Sequence, residues 1–203
     1  MNFTNLGGVG GTICFLKNVN GMWLLRQCME EWAKAGQVWT LGELLRECER
    51  LARPDCLIDV DDPQLMIPGD LPARINAQLA EAGHVRLRLD RAGTSQMANL
   101  IFHSLAQRYA DVLSAVAKTT GKELKRLFIV GGGARNEFLN RLTAERTGLD
   151  VFCGSSEAST IGNFAVQMAA LGGGRNNRGG VDAAEVAQFA EALSAVPFSG
   201  FME

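Results

Sequence analysis

Residues 126–136, Arg-Leu-Phe-Ile-Val-Gly-Gly-Gly-Ala-Arg-Asn, decide the fold of this chain. The apolar run 127–130 is too short and too apolar for a surface helix, so it predicts a buried strand in a sheet covered on both faces. The glycines that follow can turn the backbone sharply, adopt positive φ and bring N–H groups against an anion. The unpaired N–H groups of the next helix would face the same anion. On spacing alone, an ordinary strand-to-helix turn is an equally good interpretation.

The rest of the chain alternates helix and strand signals. Apolar spacing predicts helices after Gly21, from Thr40 to before Pro54, and over about 73–82, 94–119, 136–147 and 159–171, with a last helix through 186–193. A second strand is predicted near 151–153. This order predicts an α/β fold in which helices flank a mixed sheet. Residues 37–83 are interpreted as an inserted helix and loop segment, 172–180 as a flexible loop, and the tail after Pro197 as frayed.

Composition excludes several classes of protein. The chain has 203 residues, 47% hydrophobic content and a net charge of −2, which predicts one soluble globular domain. No dense Lys/Arg block is present, so nucleic acid and anionic membranes are not expected partners. The sequence has no apolar run of about 20 residues and no secretory signal, which predicts a cytoplasmic protein.

Standard catalytic and metal-binding patterns are absent from the sequence. The five cysteines are scattered, which predicts reduced thiols rather than a zinc site or disulfides. His84 and His103 are not at metal-ligand spacing, and we interpret His84 as a loop residue and His103 as a packed or surface side chain. The aspartates at 59, 61 and 62 lack the EF-hand pattern, which favours a solvated turn over a calcium site. No catalytic residue and no metal ligand is therefore assigned.

Several motifs occur together in one order along the chain. They are residues 2–12, 15–18, 21–25, 130–136, 138–140 and 156–163. Together they resemble the carboxyl-terminal domain of the FGGY carbohydrate kinases, and the amino-terminal motifs are similar to the rhamnulokinase branch. The resemblance covers nearly the whole chain.

This resemblance implies that residues 1–203 are one actin-like, ribonuclease H-like ATPase domain. The family places its catalytic aspartate in a first kinase domain, which this chain does not match, so the chain alone is expected to be inactive. The implied parent reaction is ATP plus L-rhamnulose giving ADP and L-rhamnulose 1-phosphate, with Mg²⁺ bound to the nucleotide. The expected partners are ATP or ADP, the ketose, and the missing domain, which would pack on an exposed apolar patch.

The resemblance also implies roles for individual residues. It places the backbone of Gly131, Gly132 and Gly133 against the phosphates, and Asn136 on an adenine edge, although helix capping is nearly as good an interpretation of Asn136. Asn18 matches a sugar-binding asparagine, with capping as the alternative. Where the family has a glutamine near ATP, this chain has Arg26, followed by Gln27, so either residue is a candidate for this nucleotide contact. Arg26 could bind a phosphate with two hydrogen bonds, but an exposed arginine on a helix often binds none.

Two alternatives stay open at this stage. The chain could be a kinase for another sugar, such as xylulose, fuculose or glycerol. It could also be a regulatory module that binds nucleotide on an actin-like fold without transferring phosphate.

Overall fold

A computed structural model describes residues 3–172 and 181–195. The chain divides into two compact units, each assembled from separate segments. The first comprises Met1–Asn18, Phe128–Asn136 and Val151–Glu203, and the second comprises Val19–Leu127 and Glu137–Asp150. That the whole chain is one domain with an insertion at 37–83 stays a prediction. The interpretations of 173–180 as a flexible loop and of the tail after Pro197 as frayed lie outside the described residues.

The second unit is helical. Its helices are α1 (Trp23–Lys34), α2 (Leu41–Arg50), α3 (Leu71–Glu81), α4 (Arg91–Thr120) and α5 (Glu137–Thr147). The core is built on α4, which contacts α1, α2 and α5. Met97, Ile101 and Leu105 form the predicted buried face, but Ala98 and Phe102 between them are equally buried. The central turns of α4 are therefore enclosed on all sides, because three other helices pack around them.

The ends of these helices follow local signals in the sequence. Thr40 and Glu43 form the predicted capping box, in which Glu43 N–H donates to Thr40 Oγ1 at 3.2 Å and Thr40 N–H donates to Glu43 Oε2 at 2.9 Å. The Glu43 carboxylate accepts from Thr40 N–H and also from Thr40 Oγ1, at 2.8 Å, and these two hydrogen bonds lower its pKa. α4 begins three residues before the predicted start because the Asp90 carboxylate caps it, accepting from Gly93 N–H at 2.8 Å. Gly121 ends the helix with a φ of 67°.

The strands form two separate two-stranded sheets within the described residues, rather than the predicted single mixed sheet. β1 (Thr4–Gly7) and β2 (Ile13–Leu16) pair as an antiparallel hairpin, because their connection is short enough to bring them together locally. β3 (Arg126–Ile129) pairs with β4 (Asp150–Cys153). α6 (Ala158–Leu171) and α7 (Ala183–Ala195) pack on each other in the first unit. The α/β class is as predicted.

β3 and β4 run parallel. Asp150 N–H donates to Lys125 O at 3.1 Å, and four residues further along both strands Gly154 N–H donates to Ile129 O at 2.8 Å. The connection between these parallel strands contains α5, so the order strand, helix, strand is as the sequence predicts.

The prediction that 127–130 is a strand covered on both faces is wrong for the described residues. Phe128 is 62% exposed and Val130 is 55% exposed, whereas Leu127 and Ile129 are half-buried. Alternate residues of a strand face opposite sides of the sheet, so one side is partly covered and the other is open. On the open side Phe128 stacks on Phe152 with ring centroids 5.3 Å apart.

The cysteines, the acidic segment and the helices can be compared with the sequence analysis. All five cysteines are thiols, and burial raises the pKa of Cys48 to about 12. The acidic segment forms a turn, in which the Asp61 carboxylate pairs with Arg108 at 2.6 Å and the Asp59 carboxylate accepts from Asp61 N–H at 2.9 Å. No helix in 3–172 or 181–195 is both long and apolar enough to cross a membrane.

His103 is a packed core residue. It is 7% exposed, its ring lies edge-on to Phe138 with centroids 6.4 Å apart, and its Nδ1 has no hydrogen-bond partner among the described residues. Burial lowers the pKa of His103, and the charges of Arg146 and Arg53 lower it further. In the folded protein this imidazole therefore stays neutral at pH values at which the same histidine of the unfolded chain already binds a proton.

We predict that the free energy of unfolding falls as the pH drops below about 6.5, the ordinary histidine value, because the unfolded state then binds a proton that the folded state does not. The His103→Gln variant should show a shallower fall between about pH 7 and pH 5. Urea unfolding across this range tests it, with His84→Gln, at the exposed histidine, as the matched control. Equal pH dependence in wild type and His103→Gln would contradict the prediction.

Candidate functional site

The glycine triplet lies in a short 3-10 helix, Gly131–Arg135, between β3 and α5. Of the three glycines only Gly131 adopts the positive φ that the missing Cβ permits, with a φ of 75°. The reason is that one left-handed residue already turns the chain out of β3, and helical φ angles suffice after it. Asn136 separates this turn from α5, so the first N–H groups near the end of β3 belong to the 3-10 helix.

The connection from β4 to α6 is held against this glycine turn. Gly131 N–H donates to Ser155 O at 2.9 Å, and Arg135 Nη2 donates to Ser156 Oγ at 2.8 Å. Both connections therefore leave the carboxyl ends of parallel strands, the edge at which α/β proteins bind ligands. The N–H of Gly131 is already engaged by Ser155 O, so an anion at this turn has to be met by other N–H groups.

One side of the glycine turn is open. A Cβ built at Gly132 meets no heavy atom within 4 Å, and the same holds at Gly131. At Gly133 the nearest atom is Ile129 Cγ2 at 3.8 Å, an ordinary contact. Packing therefore does not demand glycine at 132, and a bound group has space to approach the backbone there.

Asn136 is only 6% exposed, and its N–H donates to Gly133 O at 3.1 Å, which ends the 3-10 helix. Its position immediately before Glu137, the first residue of α5, fits the capping interpretation as well as the adenine one. The adenine contact stays a prediction.

The remaining predicted residues divide between the two units. Asn18 is exposed after β2 and belongs to the first unit with the glycine turn and Asn136, whereas Arg26 and Gln27 lie on α1 in the second. Gln27 Nε2 donates to Glu30 Oε2 at 2.8 Å, and Arg26 Nε lies 3.6 Å from Glu30 Oε1. A phosphate at Arg26 would have to compete with this carboxylate, although an exposed pair of this kind contributes at most about 1 kcal/mol.

Sequence reasoning missed Arg135, Ser155 and Ser156. The side chain of Glu157, the residue before α6, makes no capping hydrogen bond, and Ser155 Oγ accepts from Glu157 N–H at 3.1 Å. The available signal was the serine pair between a predicted strand and a predicted helix, where short hydroxyl side chains bond to nearby backbone.

The site contains no metal centre of protein side chains. Among residues 3–172 and 181–195, no three His, Cys, Asp or Glu side chains lie close enough to share an ion. A metal at the glycine turn would therefore need ligands from outside these side chains.

Comparison with known proteins identifies relatives of this chain. The sequence model of the C-terminal domain of the FGGY family of carbohydrate kinases matches residues 2–171. The chain is 37% identical over 172 residues to a rhamnulokinase of Bacteroides thetaiotaomicron, covering 85% of this chain and 34% of that protein. It is 36% identical over 170 residues to a rhamnulokinase of Enterobacter sp. (strain 638), covering 84% and 33% respectively. The chain thus spans about a third of the length of these curated relatives.

We predict that Gly131→Ala lowers the free energy of unfolding by about 1 kcal/mol, because alanine is strained at positive φ. Gly132→Ala should change it by less than about 0.5 kcal/mol, since its backbone is unstrained and the space beside it is open. Urea unfolding followed by circular dichroism measures both. Equal stability of the two variants would contradict this account of the turn.

Proposed function

The chain belongs to the FGGY family of carbohydrate kinases and carries the sequence of its C-terminal domain, and on this premise we propose that it forms the nucleotide-binding part of a rhamnulokinase. The proposed reaction is transfer of the ATP γ-phosphate to L-rhamnulose, giving ADP and L-rhamnulose 1-phosphate for rhamnose catabolism. The observation that carries the proposal is the open glycine turn at the carboxyl end of β3. The proposed fold is the actin-like ATPase type.

In the proposed complex the phosphates lie against the backbone of Gly132 and Gly133. Gly131 has a different role, since its hydrogen bond to Ser155 holds the turn in place. The guanidinium of Arg135, bonded to Ser156 at the same turn, supplies positive charge near the phosphates. Asn136 remains the proposed adenine contact.

Sugar recognition by this chain is assigned to Asn18, whose amide both donates and accepts and so suits a hydroxyl group. We assign no general base to this chain, because the family to which it belongs is expected to carry its catalytic aspartate in the first kinase domain. The proton of the attacking hydroxyl is therefore taken by a group outside this chain, and the chain alone binds nucleotide without transferring phosphate.

Magnesium enters this proposal only as part of the nucleotide. Mg²⁺ in such sites is often held through the phosphate oxygens with few protein ligands, and neutralises charge on the triphosphate. The described residues offer no carboxylate cluster for it, so no magnesium ligand is assigned to them.

Calorimetric titration of the full chain with Mg-ATP tests the nucleotide site. We expect saturable binding, and we expect Gly132→Asp to weaken it at least about tenfold, or about 1.4 kcal/mol, because the carboxylate occupies the open space and repels the phosphates. Gly42→Asp on α2 is the matched control. It adds the same charge at a glycine where an added Cβ would meet only Arg46 Nη1, at 3.7 Å. This variant should leave binding of Mg-ATP unchanged.

The titration separates the candidate functions. Absence of binding by the folded wild-type chain, or equal binding by Gly132→Asp, would overturn the glycine-turn site. If the chain binds nucleotide but a complex that restores the full kinase still transfers no phosphate to L-rhamnulose, the sugar assignment fails while the nucleotide site stands.

A further inference from the structure

The glycine turn carries an arginine whose charge is not offset by a carboxylate. Arg135 is the last residue of the 3-10 helix and is exposed. Its Nη2 donates to Ser156 Oγ at 2.8 Å. Within 3–172 and 181–195 no carboxylate forms an ion pair with it, including that of Glu157, which follows Ser156 in the sequence. A guanidinium has five N–H donors, so most of the donors of Arg135 are left for another partner.

Arg26, at the position where the family has a glutamine, has a different environment. Its Nε lies 3.6 Å from Glu30 Oε1, so a carboxylate already offsets part of its charge. Ser156 is a neutral partner of Arg135, and its hydroxyl fixes the direction of the guanidinium without offsetting the charge. Of these two arginines, Arg135 is therefore the better placed to bind an anion.

The bond to Ser156 also determines where the guanidinium of Arg135 lies. Arg135 belongs to the connection that follows β3, and Ser156 belongs to the connection that follows β4. Gly131 N–H donates to Ser155 O at 2.9 Å, so the two connections are already joined one residue before Ser156. The guanidinium therefore lies where both connections leave the strands, and its residue follows Gly133 by two positions in the same turn.

We propose that Arg135 donates to an oxygen of the phosphate chain, and that Ser156 is a positioning residue that holds the guanidinium in the direction this bond requires. This inference rests on the proposed nucleotide site and adds to it a residue that acts on the ligand only through another residue. Without the Ser156 hydroxyl, the guanidinium has to be ordered when the ligand binds, and ordering a long side chain weakens binding.

Calorimetric titration of the full chain with Mg-ATP measures the contribution of each residue. Arg135→Gln removes the charge, and we expect it to weaken binding at least about tenfold. Ser156→Ala should weaken binding about threefold to tenfold, the range for one side chain that has to be ordered on binding. Ser156→Thr retains the hydroxyl and should bind within about twofold of wild type.

The double variant distinguishes positioning from a structural disturbance of the turn. If Ser156 acts only through Arg135, Ser156→Ala should weaken binding by less than about twofold once Arg135→Gln is present. A structural disturbance would weaken binding by the same factor in both backgrounds. Ser159→Ala is the matched control, because Ser159 is an exposed serine of α6 whose hydroxyl is not bonded to Arg135, and it should bind Mg-ATP as wild type does.

The outcomes separate this inference from the nucleotide site on which it rests. If Gly132→Asp loses binding but Arg135→Gln binds as wild type does, the role of Arg135 and Ser156 is overturned and the glycine-turn site stands. The same holds if Ser156→Ala has an equal effect in both backgrounds, or if Ser156→Thr binds as weakly as Ser156→Ala. Absence of Mg-ATP binding by the folded wild-type chain would overturn both proposals.

Discussion

The backbone hydrogen bonds between β3 and β4 fix the position of the glycine turn, on which the proposed nucleotide site depends. They begin at Lys125 and Asp150, continue at Ile129 and Gly154, and are followed by the bond from Gly131 to Ser155 beyond the strands. The last bond joins the two strand-to-helix connections to each other. The glycine turn is thus fixed by sheet pairing, and its own residues need contribute only the one positive φ that lets the chain leave the strand.

Much of the helical unit could be predicted from the sequence, because its signals are local. Thr40 and Glu43 are three residues apart and cap α2 whatever packs around them, and Gly121 ends α4 for a reason contained in its own backbone. The spacing of Met97, Ile101 and Leu105 placed one buried face correctly. It did not reveal that the intervening residues are buried too, because that depends on how many neighbours α4 has.

The sheets and the site were harder to predict, because they depend on pairing between distant residues. The apolar run 127–130 indicates a strand, but it does not indicate which other residues pack on each face of that strand. The prediction of two covered faces is therefore wrong at Phe128 and Val130, which are exposed. The glycine triplet indicated an anion site, but only the partner Ser155 shows which of the three N–H groups is already engaged. Likewise, this chain has Arg26 where the family has a glutamine, and the sequence does not show what Arg26 and Gln27 contact. In the structure both side chains contact the carboxylate of Glu30.

The open face of β3 and β4 has a consequence in the cell. Phe128 and Phe152 stack on a side of the sheet that the described residues leave exposed, and Leu6 and Ile13 on the hairpin are also exposed. Apolar surface of this kind attracts chaperones and proteases, which continuously sort proteins that expose it. We therefore expect this chain to survive longer in a cell when that surface is covered than when it is exposed.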